Sequence, residues 1–357
     1  MSFLTGSMIL DCPASALNNS QADASAATDN TVPVKKIRAG RDVYAYVSAQ
    51  AVRYWLRTTL ETNGSAWKSA PIHRENKVAY TDAEPIDYWD DDLFGYMRAP
   101  SKKEAKKEVK GEPAAPLEKD RDITRVSPLR VSTFVSVAPA AIVSDFGTMT
   151  RHDGDPVPFE HEFYRAHLGG MLSLDLSAAG TFFDGERVGY RNLDTNRREH
   201  AKKLELESVK VRKQPAFRLP LVQRQDRVST LIRAFKFWSG GAKQALHYTD
   251  ITPAIVVLAV TTHGNNPFSR LFAATKERGT AFHAEAFAEV LAVYEKDFLS
   301  PIFIGWQKGF LDEERARLEA AILKYEGPVK IILAHPVDQF ESMAHELSQS
   351  TNAAWYA

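Results

Sequence analysis

Residues 43–61 read VYAYVSAQAVRYWLRTTLE, and their periodicity changes at a single serine. Before it, Val43, Ala45 and Val47 alternate with Tyr44 and Tyr46, the pattern of a strand with one face on a core. After it, Ala49, Val52, Leu56 and Leu60 recur at spacings of three and four, which predicts an amphipathic helix. Ser48 stands at the junction and is a favourable N-cap. A neighbouring face of the helix carries Gln50, Arg53, Tyr54 and Arg57. Arg53 and Arg57 are four apart, so their guanidinium groups lie about 6 Å from one another on one face, a spacing that suits consecutive phosphates. Pairing with nearby carboxylates on a solvated face is the competing explanation.

Working outward, FLTGSMILDC (residues 3–12) predicts a strand, followed by a loop through SALNN and a small, polar stretch, SQADASAATDNT, of surface-loop character. From 62 to about 123 the text becomes mixed and ends in SKKEAKKEVKGEPAAPLEKDRD. Residues 101–121 hold too few apolar side chains to offset their ordering entropy and are expected to form a disordered tip within an insertion. The core resumes at RVSPLRVSTFVSVAPAAIV, and HLGGMLSLDLSAAGTFF reads as a further strand pair. A helix from about 226, a buried strand in ITPAIVVLAV, helices at 281–298 and 312–325, a strand in PVKIILAHP and a helix near 337–348 complete the chain. No internal repeat is present. This order fits an α+β fold, a small βαββαβ core with an inserted finger domain and a protruding hairpin. A doubly wound dinucleotide fold fits less well, because no G-x-G-x-x-G follows the first strand.

The 357 residues carry 45 basic and 45 acidic side chains, so no global field draws the chain to a polyanion. Residues 191–236 depart from that balance, with 13 Lys and Arg against 5 Asp and Glu, a net of +8. Within them LELESVKVRKQPAFRLPLVQRQDR has two alternating arms around QPAF, the pattern of a long projecting hairpin. Lys210, Arg212, Lys213 and Arg218 with Phe217 among them interleave cations and an aromatic ring, which suits single-stranded nucleic acid. In SGGAKQ, Gly240 and Gly241 let backbone approach a ligand while Lys243 and Gln244 supply donors. The segment lacks Walker spacing, and a plain turn is its other explanation.

Acidic and histidine clusters point the other way, toward an enzyme. Asp90, Asp91 and Asp92 adjoin Phe94, and RHDGDPVPFEHEFYRAH supplies His152, Asp153, Asp155, His161, Glu162 and His167. His161 and His167 lack the spacing of a zinc-binding helix, prolines interrupt the segment, and turn caps and surface charges account for these residues. No metal or other cofactor is expected. A lone cysteine, Cys12, excludes an intrachain disulfide framework and is expected in the core. The opening residues do not read as a signal peptide, and ITPAIVVLAV is too short to span a bilayer. The expectation is a cytoplasmic protein without a membrane partner.

Six stretches taken in order, TGSMILDCPASALNN, YVSAQAVRYWLRTTL, DYWDDDLFGYM, SPLRVSTF, FEHEFYRAHL and GGAKQALHYTDITP, resemble the DevR-type backbone subunit of type I-B CRISPR Cascade, within the RAMP superfamily. The resemblance runs across nearly the whole chain. It implies a modified RRM/ferredoxin-like palm from residues 1–60, 124–195 and 228–357, a finger insertion at 61–123 and a thumb hairpin at 196–227. Members coat a guide RNA (crRNA) head to tail and display it for pairing with target DNA.

Carried over by position, Ser48, Gln50, Arg53 and Arg57 would contact phosphates. Gly240, Gly241 and Lys243 would close the other side, with Asn18 and Asn19 bordering the groove. The implied partners are crRNA, target DNA through the guide, further copies of the chain and other Cascade subunits: the 5′-end capping, large and small subunits and the crRNA-processing endonuclease. Type III backbone subunits cut target RNA with an acid. Here Asn18 and Asn19 occupy the corresponding loop, so no catalytic residue is expected. Asp11 and Asp23 lie near in sequence and keep a metal-dependent RNA endonuclease as the alternative. A regulatory protein binding duplex is a third reading, with no helix-turn-helix to support it.

Overall fold

The computed structural model describes residues 1–21, 30–63, 66–75, 78–98, 123–151, 153–185, 191–211 and 213–357. The expected tip at 101–121, together with Asp23, His152 and Arg212, lies outside them. The first strand, β1 (Phe3–Ser15), is buried over most of its length. Leu4, Met8, Leu10 and Cys12 face one apolar layer, and Ile9 faces a second, as the two-residue period of a strand requires. Burial drives the Cys12 thiol up to about 12, so it is inert core material.

β1 pairs antiparallel on both sides, with the 19-residue strand Val157–Asp175 and with Ile255–Thr261. Leu129–Val131 and Phe134–Ser136 pair antiparallel with the far edge of Val157–Asp175. A helix, α1 (Ala49–Thr62), lies in sequence between β1 and those short strands, and the helix Leu221–Ala234 between Val157–Asp175 and Ile255–Thr261. This is the split βαββαβ arrangement with β1 central, an RRM-like α+β fold. The sheet extends through Ile302–Trp306 and Ile331–Ala334 at one edge and through Asp42–Val47 and Lys36–Ala39 at the other. The VYAYV strand that precedes α1 is thus an outer addition to the fold. α1, Leu221–Ala234 and Pro336–Ser348 cover one face, while Ala284–Val293 and Asp312–Leu323 pack over part of the other.

Three expectations from the basic region need correction. The hairpin exists as Glu207–Val211 and Gln214–Arg218, with Val211 paired to Gln214, so QPAF lies within the second arm and not between the arms. That arm also pairs with Thr181–Phe183, forming a three-stranded sheet attached to the body. Ala216 is buried, and Phe217, on the other face of the arm, packs on a small core that includes Phe182, Leu193 and Leu219, because Phe217 gains more there than in solvent. The segment Thr181–Phe183 therefore pairs with this hairpin and not with the preceding strand Val157–Asp175. The following helix begins at Leu221, five residues earlier than 226. A second hairpin is formed by Ile142–Met149 with the first half of Val157–Asp175, whose other edge pairs with Thr31–Val32 at Glu160 and His161; Val143, Phe146 and Met149 are exposed on it.

The acidic triplet also departs from its expected place among turn caps and surface charges. Asp90, Asp91 and Asp92, in the short helix α2 (Trp89–Phe94), are 5%, 2% and 0% exposed. Asp90 accepts from the Ala70 amide at 2.8 Å, and Asp91 from Thr81 Oγ1 at 2.6 Å and the Glu84 amide at 2.9 Å. Asp92 sits between two buried guanidinium groups. Arg125 donates to its Oδ1, and Arg227 Nη1 to its Oδ2 at 2.7 Å, while the Gly180 amide adds a bond of 2.9 Å to Oδ2. One carboxylate for two cations leaves a buried positive charge, which carbonyls of Thr181, Ala178 and Pro85 help to solvate. The triad ties the insertion to the turn before Thr181 and to the helix Leu221–Ala234. Replacing Asp92 by Ala strands both arginines, with an expected loss of about 3–5 kcal/mol in denaturant unfolding; a loss below about 1 kcal/mol would deny the triad this role.

Candidate nucleic-acid interface

Three segments distant in sequence meet beside the start of α1. Ser48 has extended backbone angles (φ −67°, ψ 149°), and its Oγ accepts from the Ala51 amide at 3.4 Å, so it caps the helix as expected. Its own amide donates to Asn18 Oδ1 at 3.0 Å. The loop after β1 is held in turn by the glycine loop, since the Ala242 amide donates to the Leu17 carbonyl at 2.9 Å. Ser239 and Thr59 exchange hydrogen bonds of 3.2 and 3.3 Å, which fastens the other end of that loop to α1.

Gly240 and Gly241 have φ of +156° and +109°, the region that favours glycine. A methyl group at Gly240 would overlap the Trp55 ring. Trp55 is packed against Trp238, with ring centroids 6.1 Å apart, so the ring has no room to retreat. Asn18, Ser48, Gly240, Gly241 and Lys243 are therefore brought together, with Gln50 exposed in the first turn of α1. Asn19 lies in the same loop and bridges to Val34; its Oδ1 is buried without a protein partner. Gln244 is engaged internally: its amide donates to the Gly240 carbonyl and accepts from the Thr249 amide at 3.0 Å. It braces the loop and is not a free donor.

Lys243 Nζ lies 2.5 Å from His161 Nδ1, and desolvation holds this ammonium below its ordinary range. Around the pair are Phe159, His247 and Phe163. His161, expected from the sequence to be a turn or surface residue without metal-binding spacing, is instead buried in this cluster. The signal that finds it is the alternation in FEHEF, which puts Phe159, His161 and Phe163 on one side of a strand.

Arg53 and Arg57 do not form the open cationic face expected of them. Arg53 Nη1 donates to the Leu129 carbonyl at 2.9 Å and to Ser127 Oγ at 3.1 Å, and its Nη2 donates to the Phe94 carbonyl. Both guanidinium groups lie over the Phe94 ring, at 5.2 and 4.3 Å from its centroid. The carboxylates of Asp90, Asp91 and Glu61 act on Arg57. The pair thus anchors the insertion to α1. Burial, with Arg57 second, lowers Arg53 to about 10, so it remains charged at neutral pH. Its three named acceptors are neutral, and they fix the cation without cancelling its charge.

The excess of positive charge in 191–236 is also largely absorbed. Arg224 and Arg227 are each 2% exposed, Arg198 pairs with Asp184 at 2.6 Å, and Arg233 and Lys236 share Glu341 at 3.0 and 2.7 Å. Lys210 and Lys213 stay exposed on the three-stranded sheet, while Arg218 Nε donates to Thr181 Oγ1 at 3.3 Å. Elsewhere, the structure brings Asp11 to 3.7 Å from His167, whose Nδ1 lies 3.0 Å from Thr280 Oγ1. Among the described residues no group of three His, Cys, Asp or Glu is placed to hold a metal, and no helix is long and apolar enough to cross a membrane.

Two substitutions probe the two anchors. Gly240→Ala is expected to cost about 1–3 kcal/mol and to shift the tryptophan emission, because the loop must move off Trp55. Unchanged emission and melting would show that the close approach is not needed. Arg53→Ala is expected to lower stability by about 1–3 kcal/mol through the three acceptors it abandons, and an unaltered unfolding curve would return Arg53 to the open surface.

Comparison with known proteins bears on the fold. A chain from the solved "CRISPR RNA-guided surveillance complex, pre-nicking" is similar at a TM-score of 0.54 and 12% identity, covering 97% of this chain and 100% of that one. A chain from a "CRISPR RNA-guided surveillance complex" matches at 0.48 and 12%, covering 96% and 98%. No family model and no curated protein matches. At such identity the first likeness is one of fold, end to end.

Proposed function

We propose that this chain is a guide-RNA-binding backbone subunit of a type I CRISPR Cascade interference complex, of DevR type, acting without catalysis of its own. The observation that carries the proposal is the meeting of Asn18, Ser48, Gly240, Gly241 and Lys243 at one end of the central strand, with Gln50 exposed alongside. Backbone amides at a helix start and a glycine loop accept a phosphate chain without reading bases, and a fixed lysine adds charge. The end-to-end likeness in fold to a chain of a surveillance complex supports it.

In this reading each copy grips a short piece of RNA, and copies stacked head to tail make one continuous channel, since a heterologous contact that does not close generates a helix. Sequence is read by pairing of the guide with target DNA, while the protein holds the backbone. The palm comprises residues 1–60, 124–195 and 228–357 and the fingers 61–123. Of the two hairpins, Ile142–Tyr164 has the exposed apolar side chains suited to reach a neighbouring copy; each hairpin is paired along its second arm with a further strand. Arg53 and Arg57 contribute field and rigidity to the groove and little direct contact. The capping, large and small subunits and the processing endonuclease are the further partners.

Co-expression with a guide RNA should yield a nucleoprotein of high absorbance at 260 nm, and recovery of nucleic-acid-free monomer at low salt would contradict the proposal. Lys243→Ala should weaken RNA binding and lower the slope of log K against log salt by about 0.7, the value for one phosphate on a single strand. Regular, divalent-metal-dependent cuts in target RNA that vanish in Asp11→Ala would favour the endonuclease instead.

A further inference from the structure

Phe159, His161 and Phe163 share one side of the strand Val157–Asp175, at the root of the hairpin Ile142–Tyr164. The loop that follows Gly241 closes onto that side. His247 stacks on Phe163, with centroids 5.1 Å apart and planes at 22°. It meets His161 edge to face at 6.2 Å, and the Phe159 ring lies 4.6 Å from His161 on the other side. His161 is only 8% exposed, covered by these rings and by the Lys243 side chain.

Two features set this cluster apart from ordinary packing. Lys243 has a left-handed backbone, φ +53°, a conformation that costs an L-residue about 1–2 kcal/mol. Its ammonium meets an imidazole nitrogen, 2.5 Å away, and not a carboxylate. For that contact to be a hydrogen bond His161 must be neutral at Nδ1, so the ammonium is fixed and its charge left uncompensated. Desolvation, then Lys243 and His247, hold His161 below its ordinary range; Asp145, its partner across the hairpin, acts in the opposite direction.

We propose that this junction is a subsite for one phosphate group, held by Lys243 and His161 together, and that occupation of the subsite places a proton on His161. The inference rests on the guide-RNA reading and adds to it a residue and a proton. An anion seated against the ammonium offsets the Lys243 repulsion that adds to desolvation in keeping the imidazole neutral. The ring then takes a proton from solvent, releases Lys243 from Nδ1 and becomes a second donor to the phosphate. No covalent bond forms or breaks. Because the bound state holds the proton more tightly than the free state, affinity rises as pH falls, by at most about tenfold per pH unit for one proton.

The test is fluorescence anisotropy of a single-stranded RNA on the full chain, at constant salt, between about pH 6 and about pH 7.5, the range in which a histidine titrates. The wild type should bind several-fold more tightly at the lower pH, and His161→Gln should bind with nearly the same affinity at both. An equal pH ratio in wild type and His161→Gln overturns the subsite while leaving the guide-RNA reading in place. Absence of RNA binding by the wild type overturns both.

A second measurement does not depend on the variant folding. In spectra of the wild type with nitrogen-labelled histidine, RNA should convert His161 from the neutral tautomer to imidazolium, and an unchanged tautomer contradicts the proposal. Inorganic phosphate alone reproducing the shift would support an isolated phosphate site. A shift that requires RNA would support a phosphodiester within a strand.

Discussion

The structure depends on a constraint carried by β1, which is hydrogen-bonded on both edges and buried on both faces over most of its length. Such a strand has to be free of proline where it is paired on both edges; FLTGSMILDC meets that condition, and Pro13 falls at the irregularity between Cys12 and Ser15 where the register shifts. The end of β1 is therefore fixed in space, and the loop bearing Asn18 emerges after Ser15, which pairs with Tyr164, at the end of the sheet where Ile255–Thr261 begins. The glycine loop precedes that same strand. The two loops meet beside Ser48 as a consequence of strand order, so topology, and not local sequence, assembles the groove.

Arginine has two uses in this molecule. In Arg125 and Arg227 the fork geometry of the guanidinium joins segments of backbone around the single carboxylate of Asp92. In Arg53 it joins α1 to the insertion through neutral acceptors, leaving net charge near the groove. A formal count of charge along the chain does not separate these uses from free surface cations. The +8 of residues 191–236 is mostly spent on internal carboxylates and carbonyls, and Lys210 and Lys213 are among the few cations of that region still open to solvent.

The parts of the fold set by local periodicity were legible: β1, the Ser48 cap, α1, the strand Ile255–Thr261 and the last helix lie within a few residues of their expected places. The glycine pair of SGGAK marked a close backbone approach, but its place beside the start of α1 was implied only by the family resemblance. What depended on partners far away in sequence was not legible. Nothing in QPAFR shows that Thr181–Phe183 will pair with it, and nothing in WDDDLF shows that each aspartate will find amides or arginines and become buried. The alternation of FEHEF was visible, but the arrival of Lys243 and His247 on that face was not. Residues 101–121 and Arg212 fall outside the described residues.

The central claim is that the groove between Asn18, Ser48 and Lys243 holds an RNA backbone. Ultraviolet cross-linking of the co-expressed nucleoprotein, with the attached peptides identified by mass spectrometry, tests it most directly. The account predicts cross-links concentrated in residues 16–20, 48–54 and 239–248, with a further set in the hairpin 142–164. Cross-links confined to the helices Ala284–Val293 and Asp312–Leu323, or to the three-stranded sheet alone, would contradict it.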